Sequence, residues 1–215
     1  MFIGHWSPAL FAATHKESPG IVPLFLAAQL PDWLTFTLNI AGIEKFRIVP
    51  GLSALSSYDL YHMPYSHSLL GTAVLALVAG ALVAMLWRNR TAGLLIGMVV
   101  LSHWFLDLLV HVPDLTLLGH PPRYGLGLWN VPLLEIPLEL AMTFGALWFF
   151  AEARHPARHA VRTLAITMLV FQLVQWFMPA DPRQIVILPW IALASFAVIT
   201  ILAARMSRSS AMHRG

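Results

Sequence analysis

The chain has 215 residues, of which 58% are hydrophobic and only 11% charged. A soluble domain carries about 25% charged residues, so this composition excludes an ordinary water-soluble globule, a disordered chain and a coiled coil. Cys is absent, which removes disulfides and thiolate metal sites, and the formal net charge of +3 is spread over short basic clusters between apolar runs, a pattern that fits membrane topology and not nucleic acid. The anomaly is histidine: ten His equal the ten Asp and Glu combined, and several lie inside apolar segments.

A membrane span needs about 20 mostly apolar residues. Met1 to Thr14 is apolar but short, and predicts a short buried or half-inserted helix carrying His5. No basic region precedes it, so it does not read as a signal peptide. Ile21 to Ile43 is a span interrupted by Pro31-Asp32. Leu69 to Trp87 is a span without any charge, and Ala92 to Val110 is one interrupted by His103 and Asp107. Val131 to Ala151 carries Glu135 and Glu139, and Val161 to Met178 and Ile185 to Ala204 complete the set. The expectation is one all-α membrane domain over 1–215, with about six transmembrane helices plus the short N-terminal helix. The chemistry-bearing part is 1–140, and 141–215 adds further spans and a basic tail ending at Arg214. The positive-inside rule puts Lys16, Arg88, Arg90, Arg154, Arg158, Arg162, Arg205, Arg208 and Arg214 in the cytoplasm. Lys45, Arg47, Arg123 and Arg183 then fall outside, with the linkers 44–68 and 111–130.

An ionisable side chain at mid-membrane costs roughly 2.5–3.5 kcal/mol on insertion scales, and so marks a function by default. Asp32, Asp107, Glu135 and Glu139 have no Lys or Arg within their apolar runs to offset them. A divalent metal would, since carboxylates and neutral imidazoles are common zinc ligands. His103, Asp107 and His111 recur every four residues and share one helical face. Alternating the spans brings His5, Asp32, His67, this trio and the Glu135–Glu139 pair to one outward-facing layer. The plainer alternatives are packing histidines at His62 and His111, and protonated carboxyls at Glu135 and Glu139.

In chain order the set is Gly4-His5, Pro31-Asp32, His62-x-x-x-Ser66-His67-Ser68 and Ser102-His103-x-x-x-Asp107. It resembles the YdjM-like membrane-bound metal-dependent hydrolases of bacteria, over roughly residues 1–112. That family is similar, distantly, to the zinc-dependent phospholipases C and single-strand nucleases. The resemblance implies His5, Asp32, His67, His103 and Asp107 as metal ligands, with Glu139 or Glu135 open as a replacement for a missing one. Two positions depart from the pattern: Met63 stands where the family has Arg, and Trp33-Leu34 where it has an acidic residue.

The reading that follows is a hydrolase of the bacterial inner membrane with a cytoplasmic C-terminus. It would hold one or two Zn²⁺ and act on a lipid or lipid-linked ester from the outer side. A bound metal lowers the pKa of its water toward about 7. Asp32 leads as general base, because Pro31 is expected to break its helix, with Glu135 second; His62 or His111 would protonate the leaving group. Membrane lipids are the expected partners. The rival classes are a proton- or ion-coupled transporter, a b-type haem protein and a structural subunit with a closed metal site. Zincin, nucleophile-elbow, P-loop and Rossmann motifs are absent.

Overall fold

The computed structural model describes residues 1–179 and 181–212; Arg214, the last residue of the expected basic tail, lies outside them. The chain is mainly helical. A 3-10 turn (Ile3–His5) runs into α1 (Trp6–Ala12), followed by α2 (Ile21–Ala28), α3 (Leu30–Ile40), α4 (Leu69–Leu86), α5 (Arg90–Val110), α6 (Pro132–Arg154), α7 (Arg158–Phe177) and α8 (Leu188–Met212). Five of these, α4 to α8, are long and apolar enough to cross a membrane, and α2 with α3 would make a sixth if the bent pair counts as one span.

Three expectations need correction. The interruption of the span over 21–43, where two helices meet at 54°, lies ahead of Pro31-Asp32 and not at it. The joint is Gln29, and Pro31 sits inside the first turn of α3, where its missing N–H is lost at no cost. Pro31 therefore does not break the Asp32 helix. The fold is also not purely helical. The linker 44–68 holds an antiparallel pair, β1 (Lys45–Ile48) with β2 (Tyr58–His62), and 111–130 holds a smaller pair, β3 (Leu115–Thr116) with β4 (Arg123–Tyr124).

Local chemistry sets the helix starts. Ser68 caps α4 by accepting a hydrogen bond from the Gly71 N–H, and Asn89 caps α5 through the Ala92 N–H. The hairpin α4–α5 closes through small residues. A Cβ placed on Gly80 would lie 2.8 Å from the Gly93 carbonyl oxygen, and one on Gly93 would collide with the Gly80 carbonyl oxygen and the Ala84 side chain. Glycine at both positions lets the backbones touch, the usual device where apolar helices have no water to drive them together.

Burial is inverted relative to a soluble protein. Leu77, Leu86 and Leu133 are 74%, 74% and 89% exposed, whereas His5, His103, Asp107, Glu135, Glu139 and Gln172 are buried. The apolar core (Ile3, Trp6, Leu10, Leu24, Phe25, Val100, Leu147, Met168 and Ile199 among others) gathers around the N-terminal segment, which plugs the centre between α2, α5, α6 and α8. The end of α5 and the starts of α4 and α6 lie at one end of this bundle, beneath both strand pairs. Ser68 bridges to Thr116, and the Leu70 N–H bonds to the Leu117 carbonyl.

Candidate metal centre

The backbone brings five of the expected ligands together. Asp107 is the hub. Its Oδ2 lies 3.2 Å from His103 Nε2, one turn back on α5, and 3.4 Å from His67 Nε2, just before α4. Its Oδ1 lies 3.0 Å from His5 Nε2, 3.5 Å from His111 Nε2 and 2.8 Å from the Met1 amino nitrogen. Asp32, in the first turn of α3, faces the same group, with Oδ1 3.4 Å from His67 Nε2 and 3.7 Å from His103 Nε2. Two overlapping sets, His5–His103–Asp107 and Asp32–His67–His103, have their donor atoms within 4.8 Å of one another.

The hydrogen bonds on the far side of each ring decide which nitrogen points inward. His103 Nδ1 is 2.8 Å from the Ala28 carbonyl oxygen. A carbonyl only accepts, so Nδ1 carries the hydrogen. In the neutral ring His103 Nε2 is then a lone pair; it is buried and has no hydrogen-bond partner among the described residues. His111 Nδ1 donates in the same way to Asp114 Oδ1, at 3.0 Å, while Asp114 Oδ2 accepts from the Leu60 N–H. His67 Nδ1 faces the hydroxyls of Thr35 (2.9 Å) and Ser66 (3.1 Å). Nε2 atoms thus converge on carboxylate oxygens at distances of 3.2–3.7 Å. A lone pair facing a carboxylate is repulsive unless a proton or a cation lies between them. Imidazoles held from behind by carboxylate, carbonyl or hydroxyl groups are the usual outer arrangement of a metal ligand set, and the donors present fit a divalent ion that accepts both N and O.

Without a metal ion, the Met1 ammonium 2.8 Å from Asp107 Oδ1 and protons fill that role unevenly. Burial opposes charge on His67, but its hydrogen bonds to Asp107 and Asp32, with their charges, push the imidazole up to about 10. His111 is raised as well, the charges of Asp114 and Asp107 outweighing its burial. For His5, burial and the neighbouring His103, stacked on it at 3.7 Å, push the imidazole down to about 3.

His5 is placed by carboxylate and amide contacts to its own turn. Glu139 Oε1 accepts from the Phe2 and Gly4 N–H groups (2.7 and 3.0 Å), and Gln172 Oε1 accepts from the Ile3 N–H (3.1 Å). Glu139 therefore ties the N-terminal turn to α6 and is a member of neither metal-capable set. Glu135, one turn earlier, is fully buried beside Glu139, and neither of its oxygens has a hydrogen-bond partner among the described residues. His62 ends β2 exposed, paired in register with Lys45, and the structure does not bring it into the cluster.

The groups behind the ligands were not anticipated from the sequence. Asp114 had a local signal, three residues after His111. Ser66 adjoins His67 in the chain, but Thr35 and Glu44 had no local signal: their partners lie 22–32 residues away. No family model, curated protein or solved structure matches this chain.

Proposed function

We propose that this chain is an integral membrane hydrolase with one or two divalent metal ions, zinc by preference, held by His5, Asp32, His67, His103 and Asp107 with His111 as a sixth donor. The observation that carries the reading is the buried Nε2 of His103, aimed at Asp107 with no hydrogen-bond partner among the described residues, while its Nδ1 is fixed on the Ala28 carbonyl. The exposed leucines of α4 and α6 around a polar interior support a lipid surround. The bound metal would supply a water of lowered pKa and polarise an ester oxygen. Asp32 is the residue placed to act on such a water: its side chain is 19% exposed, against at most 6% for His5, His67, His103, Asp107 and His111. The centre is thus open on the Asp32 side, which argues against a closed structural site. It lies at the end of the helices where an ester of a membrane lipid, or of a lipid-linked molecule, has its polar group.

The test is metal content by ICP-MS on detergent-purified protein, alongside a His103→Ala/Asp107→Ala double variant. One or two equivalents of zinc, lost in the variant, would be expected. A wild type that stays metal-free after zinc is added would sink the hydrolase reading. The second reading, a proton- or ion-coupled transporter, is favoured by one observation, the unpaired buried Glu135. Flux into liposomes that depends on Glu135 would select it.

A further inference from the structure

Behind His67 lies a carboxylate that the metal centre does not touch. Glu44, between α3 and β1, is completely buried. Its Oε1 accepts from the Tyr65 and Ser66 N–H groups at 2.8 and 2.9 Å, and its Oε2 accepts from the Ser66 hydroxyl at 2.5 Å. The other acceptors within reach of that hydroxyl among the described residues, Thr35 Oγ1 at 2.6 Å, His67 Nδ1 at 3.1 Å and the Met63 thioether at 4.0 Å, are neutral and compete poorly with a carboxylate at 2.5 Å. The Thr35 hydroxyl in turn donates to Ser66 Oγ at 2.6 Å. Both hydroxyl hydrogens therefore point away from His67, and both oxygens turn lone pairs toward its Nδ1, at 2.9 and 3.1 Å. Each hydroxyl has one hydrogen to give. The direction of the whole chain is fixed by the one member that can only accept, the Glu44 carboxylate.

We infer that Glu44 is a positioning residue for the metal centre: through the Ser66 and Thr35 hydroxyls it keeps the His67 hydrogen on Nδ1 and so leaves Nε2 free to bind metal between Asp32 and Asp107. The inference rests on the metal-centre reading for its consequence, but not for its structural core, since the metal-free protein faces the same choice once His67, whose imidazole is pushed up to about 10, has given up its second hydrogen. An amide in place of the carboxylate reverses the chain. The Oε1 of Glu44→Gln can keep both backbone N–H groups, but its NH₂ would donate to Ser66 Oγ. The Ser66 hydrogen must then turn to His67 Nδ1, and the ring hydrogen must move to Nε2, where it blocks the ligand position.

The experiment is ¹⁵N NMR of histidine-labelled protein in detergent, metal-free and zinc-loaded, for wild type and Glu44→Gln, with zinc affinity measured by chelator competition. With zinc bound, or metal-free above about pH 10 where the ring is neutral, the wild-type hydrogen is expected on His67 Nδ1; in the neutral ring of Glu44→Gln it is expected on Nε2, with zinc affinity about ten- to a hundredfold lower. A folded Glu44→Gln that keeps the hydrogen on Nδ1 and binds zinc as the wild type does would overturn the inference. Should Glu44→Gln fail to fold, Ser66→Ala gives the same decision. It leaves the two backbone hydrogen bonds to Glu44 in place, cuts the link to His67 and frees the Thr35 hydroxyl to donate to Nδ1. Unchanged zinc affinity and an unmoved Nδ1 hydrogen in that variant would overturn the inference. A wild type that binds no zinc defeats the metal-centre reading, and the metal-free spectra of the two proteins still decide the role of Glu44.

Discussion

Asp107 shows how much one side chain can organise when its surroundings are dry. Its two oxygens address different partners, His5 and His111 on one side and His67 and His103 on the other. Charges this close and this buried are tolerated only when paired, and three of the imidazoles that lean on Asp107, those of His67, His103 and His111, are themselves supported from behind. Asp114 is the second such support. It spends one oxygen on His111 Nδ1 and the other on the Leu60 N–H, joining the end of α5 to β2. Asp114→Asn cannot serve both, because one of its two positions becomes a donor that meets another donor. Zinc affinity should fall about ten- to a hundredfold, and chelator competition measures it; an unchanged affinity would place His111 outside the ligand set. The sequence showed the residues that sit on a helical period, His103 with Asp107 above all, because period is a local property. Glu44 and Thr35 were invisible, since hydroxyls and loop carboxylates are common and only the folded chain says which ring they reach. Glu139 was visible as a buried acid, but nothing in its own helix reveals that one of its oxygens accepts from the Phe2 and Gly4 N–H groups.

At the level of elements, apolar run length predicted α4 to α7 to within a few residues and placed α8 but ended it eight residues early, at Ala204 instead of Met212, since a helix is the only way to satisfy backbone groups throughout such a run in lipid. The short strands escaped because two to five residues of extended chain carry no usable periodicity. The bend at Gln29 escaped because Pro31 drew attention to the wrong residue. The crossing of α4 with α5 matters most to the site, for it holds His67 against His103. Two glycines separate a contact requirement from a mere preference. Gly93→Val would press its side chain into the Gly80 carbonyl and Ala84, and should cost about 1–3 kcal/mol and lower the zinc content. Gly145, on α6, has nothing within 4 Å of an added Cβ. Gly145→Ala should be neutral or up to about 1 kcal/mol stabilising from helix propensity. Thermal unfolding in detergent compares the two; equal midpoints would mean that the α4–α5 contact is not tight.

Across the whole molecule, charge and chemistry separate to opposite ends. The end of the bundle formed by the last turns of α4, α6 and α8 and the first turns of α5 and α7 carries Arg88, Arg90, Arg154, Arg158, Arg162, Arg205 and Arg208, joined by Lys16 ahead of α2. Arg154 ties that end together by donating to the Ala13 and His15 carbonyls. Among the described residues, the metal-capable end has only Lys45, Arg47, Arg123 and Arg183. If helices in a bilayer obey the bias of Lys and Arg toward the cytoplasm, the centre opens to the outer side, and a substrate of the proposed hydrolase would enter from the outer leaflet. The absence of Cys from the sequence makes this directly measurable, because a single introduced thiol is the only one to react. His120→Cys, on the exposed β3–β4 loop, should label with a membrane-impermeant maleimide in intact cells. Glu152→Cys, on the exposed last turn of α6, should label only after permeabilisation. The reverse pattern would turn the centre toward the cytoplasm and move the substrate to the inner leaflet, while leaving the ligand geometry around Asp107 as it is.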